Sequence, residues 1–318
     1  MKTLTLTTIA IASVFAASAN AHEIYKGDAL SLSVGGRVEA RSEFSDQGKD
    51  KSIQKQDDIS RARLNIQART QITDDVFARG YVEKEFTKTE SNETRYLYVA
   101  VGNDNNEVQF GKTDGALYQI VNYTDILNTY GAEASNAETT AYRADNQFLY
   151  IGSYDALTVN ASFNGGGQGV KDNVGNTTTA HYGYALSASY DFGFLNAGAG
   201  YAKEIHNGTF KDSDSMLLSL GSNITDSLYV GGLYVNGTKF GDDFNGYELA
   251  SSYAFTDKLS LAGTFTSVKF DSQSDNSTKA ALDLGYQATE YFKTYVGVSK
   301  AFTLNEELKG MLGAKVTF

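Results

Sequence analysis

A long alternation of apolar and polar side chains dominates this sequence. Between Ala62 and Ile72 the even-numbered positions are mostly apolar, and the odd-numbered positions carry Arg, Asn or Gln. The segment from Leu30 to Phe44 repeats the pattern. Because successive side chains of a β-strand point to opposite faces, each such segment predicts a strand with one apolar face and one polar face.

About sixteen strands of this kind follow one another, and their connections differ in length. Short polar turns such as 73–75 and 256–258 alternate with longer connections such as 47–58 and 165–180. Short turns at one end and long loops at the other are typical of a transmembrane β-barrel. Strands of about nine to eleven residues also match the length that crosses a bilayer when tilted.

A bilayer requires that such a sheet be closed, because lipid offers no partner to unpaired backbone N–H and C=O groups. Sixteen strands enclose a lumen too wide to be filled by wall side chains, so the polar faces would line water. The sequence therefore predicts an all-β fold, an antiparallel transmembrane barrel of about 16 strands. Aromatic residues near strand ends would form girdles at the two membrane interfaces: Tyr182, Tyr190, Phe192, Phe194, Tyr253, Phe255, Tyr291 and Phe292.

Composition excludes several other classes of protein. The chain has 318 residues, no Cys, and 38 acidic against 27 basic residues, a formal charge of −11. Without cysteine it has no disulfides, thiolate zinc sites or thiol nucleophiles. The acidic balance argues against nucleic acid as a partner. We expect no cofactor and no metal site.

The two ends of the chain carry assembly signals. Lys2, an apolar stretch and Ala19-Asn20-Ala21 fit a secretory signal peptide over residues 1–21, which leaves a mature barrel of residues 22–318. Loss of Lys2 makes the formal charge one unit more negative. The last strand alternates up to a terminal Phe318, which is similar to the assembly signal of outer-membrane barrels. We therefore predict a multi-pass protein of the outer membrane of a Gram-negative bacterium.

Three segments resemble the Gram-negative general porins, in particular those of vibrio-type marine bacteria. They are His22-Glu23-Ile24-Tyr25, Ser60 to Ile66, and Tyr123-Thr124-Asp125-Ile126-Leu127 followed by Tyr142 to Phe148. The resemblance implies a homotrimer in the outer-membrane lipid that passes ions and small hydrophilic solutes passively and is not an enzyme. It also implies a third loop that folds into the barrel and narrows the pore.

The resemblance implies a constriction with opposite charges on its two sides. Carried over by matching segment, the basic wall consists of Arg37, Arg63, Arg95 and Arg143, and the acidic loop of Asp125, Glu133 and Glu138. Thr129 stands where many relatives carry Glu, and Asn128 replaces a Pro, so the acidic side departs from the family pattern. The acidic chain as a whole predicts a weak preference for cations, which grows as salt is diluted.

Small and apolar residues in the second half of the chain are candidates for an outer wall that allows trimer contact: Gly198, Ala199, Gly200, Gly231, Gly232 and Leu233.

Two other functions are open. A sugar-specific channel could use Tyr118, Tyr123 and Tyr130 as an aromatic track, and a barrel-anchored adhesin could use the loop that begins at Gly165. A hydrolase is disfavoured, because neither His181 nor His206 accompanies a nucleophile motif.

Overall fold

The computed structural model describes residues 21–27, 29–46, 55–88, 92–131, 134, 139–167, 169–171, 177–208, 210–303 and 307–318. Most of these residues form β-strands. In chain order they are β1 (His22–Lys26), β2 (Leu30–Ser45), β3 (Lys55–Asp58), β4 (Arg61–Gln71), β5 (Phe77–Thr87), β6 (Glu93–Gly102), β7 (Asn106–Thr113), β8 (Ala144–Tyr154), β9 (Leu157–Asn164), β10 (Gly169–Lys171), β11 (Thr177–Asp191), β12 (Asn196–His206), β13 (Ser213–Asn223), β14 (Leu228–Lys239), β15 (Asp242–Ala254), β16 (Leu259–Phe270), β17 (Ser277–Gln287), β18 (Phe292–Ala301) and β19 (Leu308–Thr317).

The strands close into a ring of sixteen, which confirms the predicted fold class. Each long strand pairs antiparallel with the next, and β19 returns to pair with β2 in the register Val316↔Val38. Three short segments extend neighbouring strands. β3 continues β4 along β2, β10 continues β9 along β11, and β1 continues the line of β19.

The predicted alternation sorts side chains between the two surfaces of this ring. Leu64 and Ile66 of β4 are exposed on the outside, whereas Asn65 between them is 5% exposed and faces the lumen. All eight aromatic residues assigned to interfacial girdles are exposed, by 37% to 76%. An apolar outer surface and a polar inner surface are what a barrel in lipid requires.

Among the residues that the structure describes, helical structure is confined to the third loop, between β7 and β8. It consists of a one-turn helix, α1 (Tyr118–Val121), and a 3-10 turn, Thr139–Ala141. Among the described residues there is no helix long and apolar enough to span a membrane.

The third loop folds into the barrel, as expected, and forms its only sizeable apolar core among the described residues. Leu117 and Ile120 are fully buried, and Val121 is nearly so. They pack with inward-facing residues of the wall from β11 to β16, namely Ala185, Ala202, Leu217, Leu233, Val235, Phe244, Val268 and Phe270. The loop therefore covers one half of the inner wall.

Glycines on that half of the wall make room for the loop. A Cβ on Gly198 would collide with Ile120, one on Gly200 with Leu117, and one on Gly231 with the backbone oxygen of Tyr123. These three glycines therefore face inward. A side chain at any of them would push the loop away from the wall.

This placement corrects the interpretation of the six small residues as an outer contact wall. Gly198, Gly200, Gly231 and Leu233 line the lumen beneath the third loop. Only Ala199 and Gly232, which alternate with them, remain for the outer surface. The interpretation failed because composition shows that a wall is small without showing which side needs the space.

Two neighbouring glycines of β14 test this packing. We expect Gly231→Val to lower the free energy of unfolding by about 1–3 kcal/mol, because overpacking displaces the loop or the strand. Gly232→Val is the matched control, since its Cβ would make only ordinary contacts, with Leu249 at 3.6 Å and with the Glu248 carbonyl oxygen at 3.9 Å. Thermal unfolding in detergent, followed by circular dichroism, measures both. Equal stability of the two variants would contradict the inward assignment.

Candidate functional site

The described part of the third loop leaves open the half of the lumen that lies against the first and last strands. Its tip reaches β17 and β18, where the Asn128 backbone N–H and side-chain amide donate to Asp283 at 3.0 and 2.9 Å. The wall that the described loop residues leave uncovered, called the uncovered wall below, therefore consists of β19, β2, β4 to β6 and the part of β18 that Thr129 does not cover. Solutes would pass between this wall and the inner edge of the loop.

Basic side chains concentrate on this uncovered wall. Arg37 of β2 stands directly opposite Arg63 of β4, and Lys315 of β19 stands directly opposite Lys293 of β18. Arg61, two residues from Arg63, faces the lumen on the same strand. Strand register thus assembles a band of cations from four adjacent strands.

Carboxylates from the same wall hold the arginines in place. The Nε of Arg63 donates to Glu85 at 2.5 Å, and the Nε of Arg61 donates to Glu39 at 2.6 Å. Glu39 is 2% exposed and also accepts the Tyr295 hydroxyl at 2.6 Å. Charge-assisted bonds of this kind are strong and directional, so they fix where each guanidinium points.

A β-bulge brings Arg95 to the lumen. Glu83 pairs with Tyr96 while the next residue, Lys84, pairs with Thr94, so Arg95 is the unpaired extra residue. Its Nε donates to Glu83 at 2.7 Å. The Arg95 guanidinium lies beside the ring of Tyr96, the next residue in the chain. A bulge re-aims side chains in this way, and alternation alone could not have placed Arg95.

The fourth predicted arginine, Arg143, lies at the base of the third loop, over the same Tyr96 ring as Arg95. Its guanidinium stacks over the Tyr96 ring, 5.1 Å from the centroid, and lies 3.7 Å from Glu93. The Tyr96 hydroxyl is 3.0 Å from both carboxylate oxygens of Asp114. Burial raises the pKa of Asp114 to about 6. This group joins the start of the loop to its end.

On the acidic side the structure describes only part of the predicted set. Asp125 is exposed on the loop, after the one-turn helix α1. Glu133 and Glu138 lie outside the described residues. Of the three predicted acidic residues, only Asp125 lies among the described residues.

The two departures from the family pattern serve to dock the loop tip. Asn128 binds Asp283, and the side chain of Thr129 fills the space above Gly297 of β18, where a Cβ would collide with it. Neither residue presents a charge to the lumen. The tip is thus held by a neutral amide on a wall carboxylate.

The sequence interpretation missed Lys315, Lys293 and Arg61 as members of the basic band. A signal was present for Lys315: Phe318, Val316 and Ala314 share the apolar face, which puts Lys315 on the inner one. What the sequence lacked was the register that brings the last strands beside the first.

The histidines show no catalytic arrangement. His206 is buried, and its ring nitrogens lie 2.8 Å from Glu204 and 2.8 Å from the Lys211 carbonyl oxygen. His181 is exposed beside Tyr182. Among the described residues no three His, Asp or Glu side chains are grouped so as to hold a metal ion.

Known proteins are similar to this chain in sequence and in fold. Residues 7–305 match the family described as Gram-negative porin. The porin-like protein L of Photobacterium profundum is 32% identical, over 92% of this chain and 90% of its own length. The outer membrane protein U of Vibrio parahaemolyticus is 31% identical, over 96% of this chain and 91% of its own length.

Solved structures agree with the architecture. A Salmonella typhi OmpF in complex with daunomycin matches with a TM-score of 0.79 at 16% identity, over 93% of this chain and 100% of that chain. A trimer form of Vibrio cholerae OmpT matches with a TM-score of 0.69 at 17% identity, over 92% and 100%. With its family match, its relatives and its closed sixteen-stranded barrel, this chain belongs to the Gram-negative porin family of the outer membrane.

Proposed function

We propose that the chain forms a water-filled channel for passive diffusion of ions and small hydrophilic solutes, with a weak preference for cations. The observation that carries this is the uncovered half of the lumen, lined by charged side chains opposite the third loop. Such a surface needs water beside it, because unpaired charge is costly in a dry interior. No catalytic step is required.

The proposed constriction lies between the third loop and the basic wall. Arg37, Arg63 and Arg95 form its positive side, with Arg143 at the loop base. Asp125 on the loop, together with Glu133 and Glu138, forms its negative side. Opposed charges create a field across the opening, which orients polar solutes and slows apolar ones.

Assembly follows from the two termini and from the family. Residues 1–21 act as a signal peptide, Phe318 contributes to recognition during barrel insertion, and three mature chains associate. The trimer form of OmpT supports such association. Native mass spectrometry of detergent-solubilised protein should give three chains that each begin at His22. A complex of one chain would contradict the trimer, and a retained leader would contradict the cleavage.

The alternative functions gain little support. A sugar track would need Tyr123 in the lumen, yet Tyr123 is 3% exposed, with its carbonyl oxygen accepting the Tyr229 hydroxyl at 2.8 Å. The loop considered for an adhesin is described only in part, since residues 168 and 172–176 lie outside the described residues. Gly166 and Gly167 have positive φ, and the Gly167 N–H donates to Ala180 at 3.0 Å. Saturable block of current by a sugar would favour the specific channel.

Release of the loop tip tests the constriction. Asp283→Ala removes both hydrogen bonds to Asn128, each worth about 1.5–3 kcal/mol because the acceptor is charged. We expect open-channel current in planar bilayers to become noisy as the freed tip moves in the lumen. Asp283→Asn is the matched control, since it removes the same charge but keeps an acceptor oxygen. A steady current in the Ala variant would show that the tip does not border the pathway.

Ion preference depends on the distance over which charge acts. The Debye length is about 8 Å at 0.15 M salt and about 30 Å at 0.01 M, so dilution exposes the pore to the acidic chain as a whole. We expect reversal potentials under a KCl gradient to show a weak cation preference that grows on dilution. Arg63→Ala should strengthen it at all salt concentrations, because it also leaves Glu85 without this partner.

Arg69→Ala is the control for that variant. Arg69 is on the same face of β4, six residues away, or about 20 Å along the strand, where it stacks over Phe77. Its loss should matter mainly in dilute salt. Anion preference in the wild type, or equal effects of the two substitutions in concentrated salt, would contradict the assignment.

A further inference from the structure

A pocket between the third loop and the wall carries an excess of positive charge. Four cationic side chains line it, together with a single carboxylate and the Tyr118 side chain of α1. The cations are Arg37, Arg63, Arg95 and Lys315, and the carboxylate is Glu83. Among the described residues the lining therefore has three positive charges in excess.

The nearby carboxylates are already committed to other partners. Glu83 accepts from Arg95 and lies 3.3 Å from the Tyr81 hydroxyl. Glu85 accepts from Arg63, and Glu39 accepts from Arg61 and Tyr295. These bonds hold the guanidiniums in position but do not reach the ammonium of Lys315.

Lys315 is held in an unfavourable place for a lysine. Lys293 stands directly opposite it on the neighbouring strand, and like charges in that position repel. No carboxylate of the described residues lies within 4.0 Å of either ammonium. The Nε of Arg37, across β19 and β2 from them, is buried and has no hydrogen-bond partner in the described part of the chain.

We propose that this pocket binds a small dianionic oxyanion, of the phosphate class, with Lys315 as its distinguishing residue. Guanidinium groups fixed from behind by carboxylates present their remaining N–H groups to such oxygens, and the Lys315 ammonium adds a point charge. The Tyr118 hydroxyl supplies a neutral donor from the loop side. The inference rests on the proposed channel, because the ligand reaches the pocket through the lumen.

Occupancy would change what the pore prefers. A bound dianion cancels most of the local positive excess, so the acidic remainder of the channel would then dominate. Phosphate should therefore raise the preference for potassium over chloride while it narrows the pathway. Simple steric block would lower current without changing the preference.

The test is a reversal-potential measurement under a KCl gradient, with and without inorganic phosphate on both sides at constant ionic strength. In the wild type we expect phosphate to raise cation preference along a saturating curve. Lys315→Gln should weaken the apparent affinity about tenfold, the effect of losing one charge-assisted hydrogen bond. Lys315→Arg should retain most of it.

Lys309→Gln is the matched control on the same face of β19. Its ammonium lies 3.8 Å from Glu43 and 3.5 Å from Glu307, away from the pocket, so the phosphate response should stay at the wild-type level. Normal KCl conductance with no phosphate response would overturn this inference alone. An equal response in the Lys315→Gln and Lys309→Gln variants would also overturn it. Absence of KCl conductance in the wild type would overturn the channel as well.

Discussion

The closed ring of backbone hydrogen bonds is the constraint on which the rest of this protein depends. Lipid supplies no partner for an open edge, so the pairing of β19 with β2 is as necessary as any other in the sheet. Sixteen strands satisfy that requirement but leave a lumen that their own side chains cannot fill. The space must then be shared between packed chain and water.

The inner wall meets that demand by being different on its two halves. From β11 to β16 it carries a cluster of small and apolar side chains, against which the third loop buries Leu117 and Ile120. Glycine is required there because the loop approaches the strand backbone closely, most of all where Tyr123 lies over Gly231. From β19 round to β6 the wall is charged, and the described part of the loop leaves most of it uncovered.

The arginines on the uncovered half of the wall are held in position by glutamates of the same wall. Each arginine pairs with a glutamate of the wall, and Glu39 serves Arg61 while it also accepts the Tyr295 hydroxyl. These pairs fix the positions of the arginine side chains but contribute little net charge, because each positive charge lies beside a negative one. Of the four cations that line the pocket, only Lys315 has no carboxylate within 4.0 Å among the described residues, so it stands out from the arginines.

The barrel could be predicted from the sequence, because period-two alternation, strand length and connection length are local properties. They match directly a wall with lipid on one face and water on the other. The sequence also placed Arg37 and Arg63 on the inner face, since alternation fixes the side of a strand. Which inward-facing side chains contact one another depends on the tertiary structure and could not be predicted from the sequence. Strand register places Lys315 beside Lys293, and a β-bulge points Arg95 inward. Gly198 and Leu233 face the interior, where the third loop packs against them. The pairing of β19 with β2 and the packing of the third loop against β12 and β14 join segments far apart in the chain, so no local sequence pattern determines them.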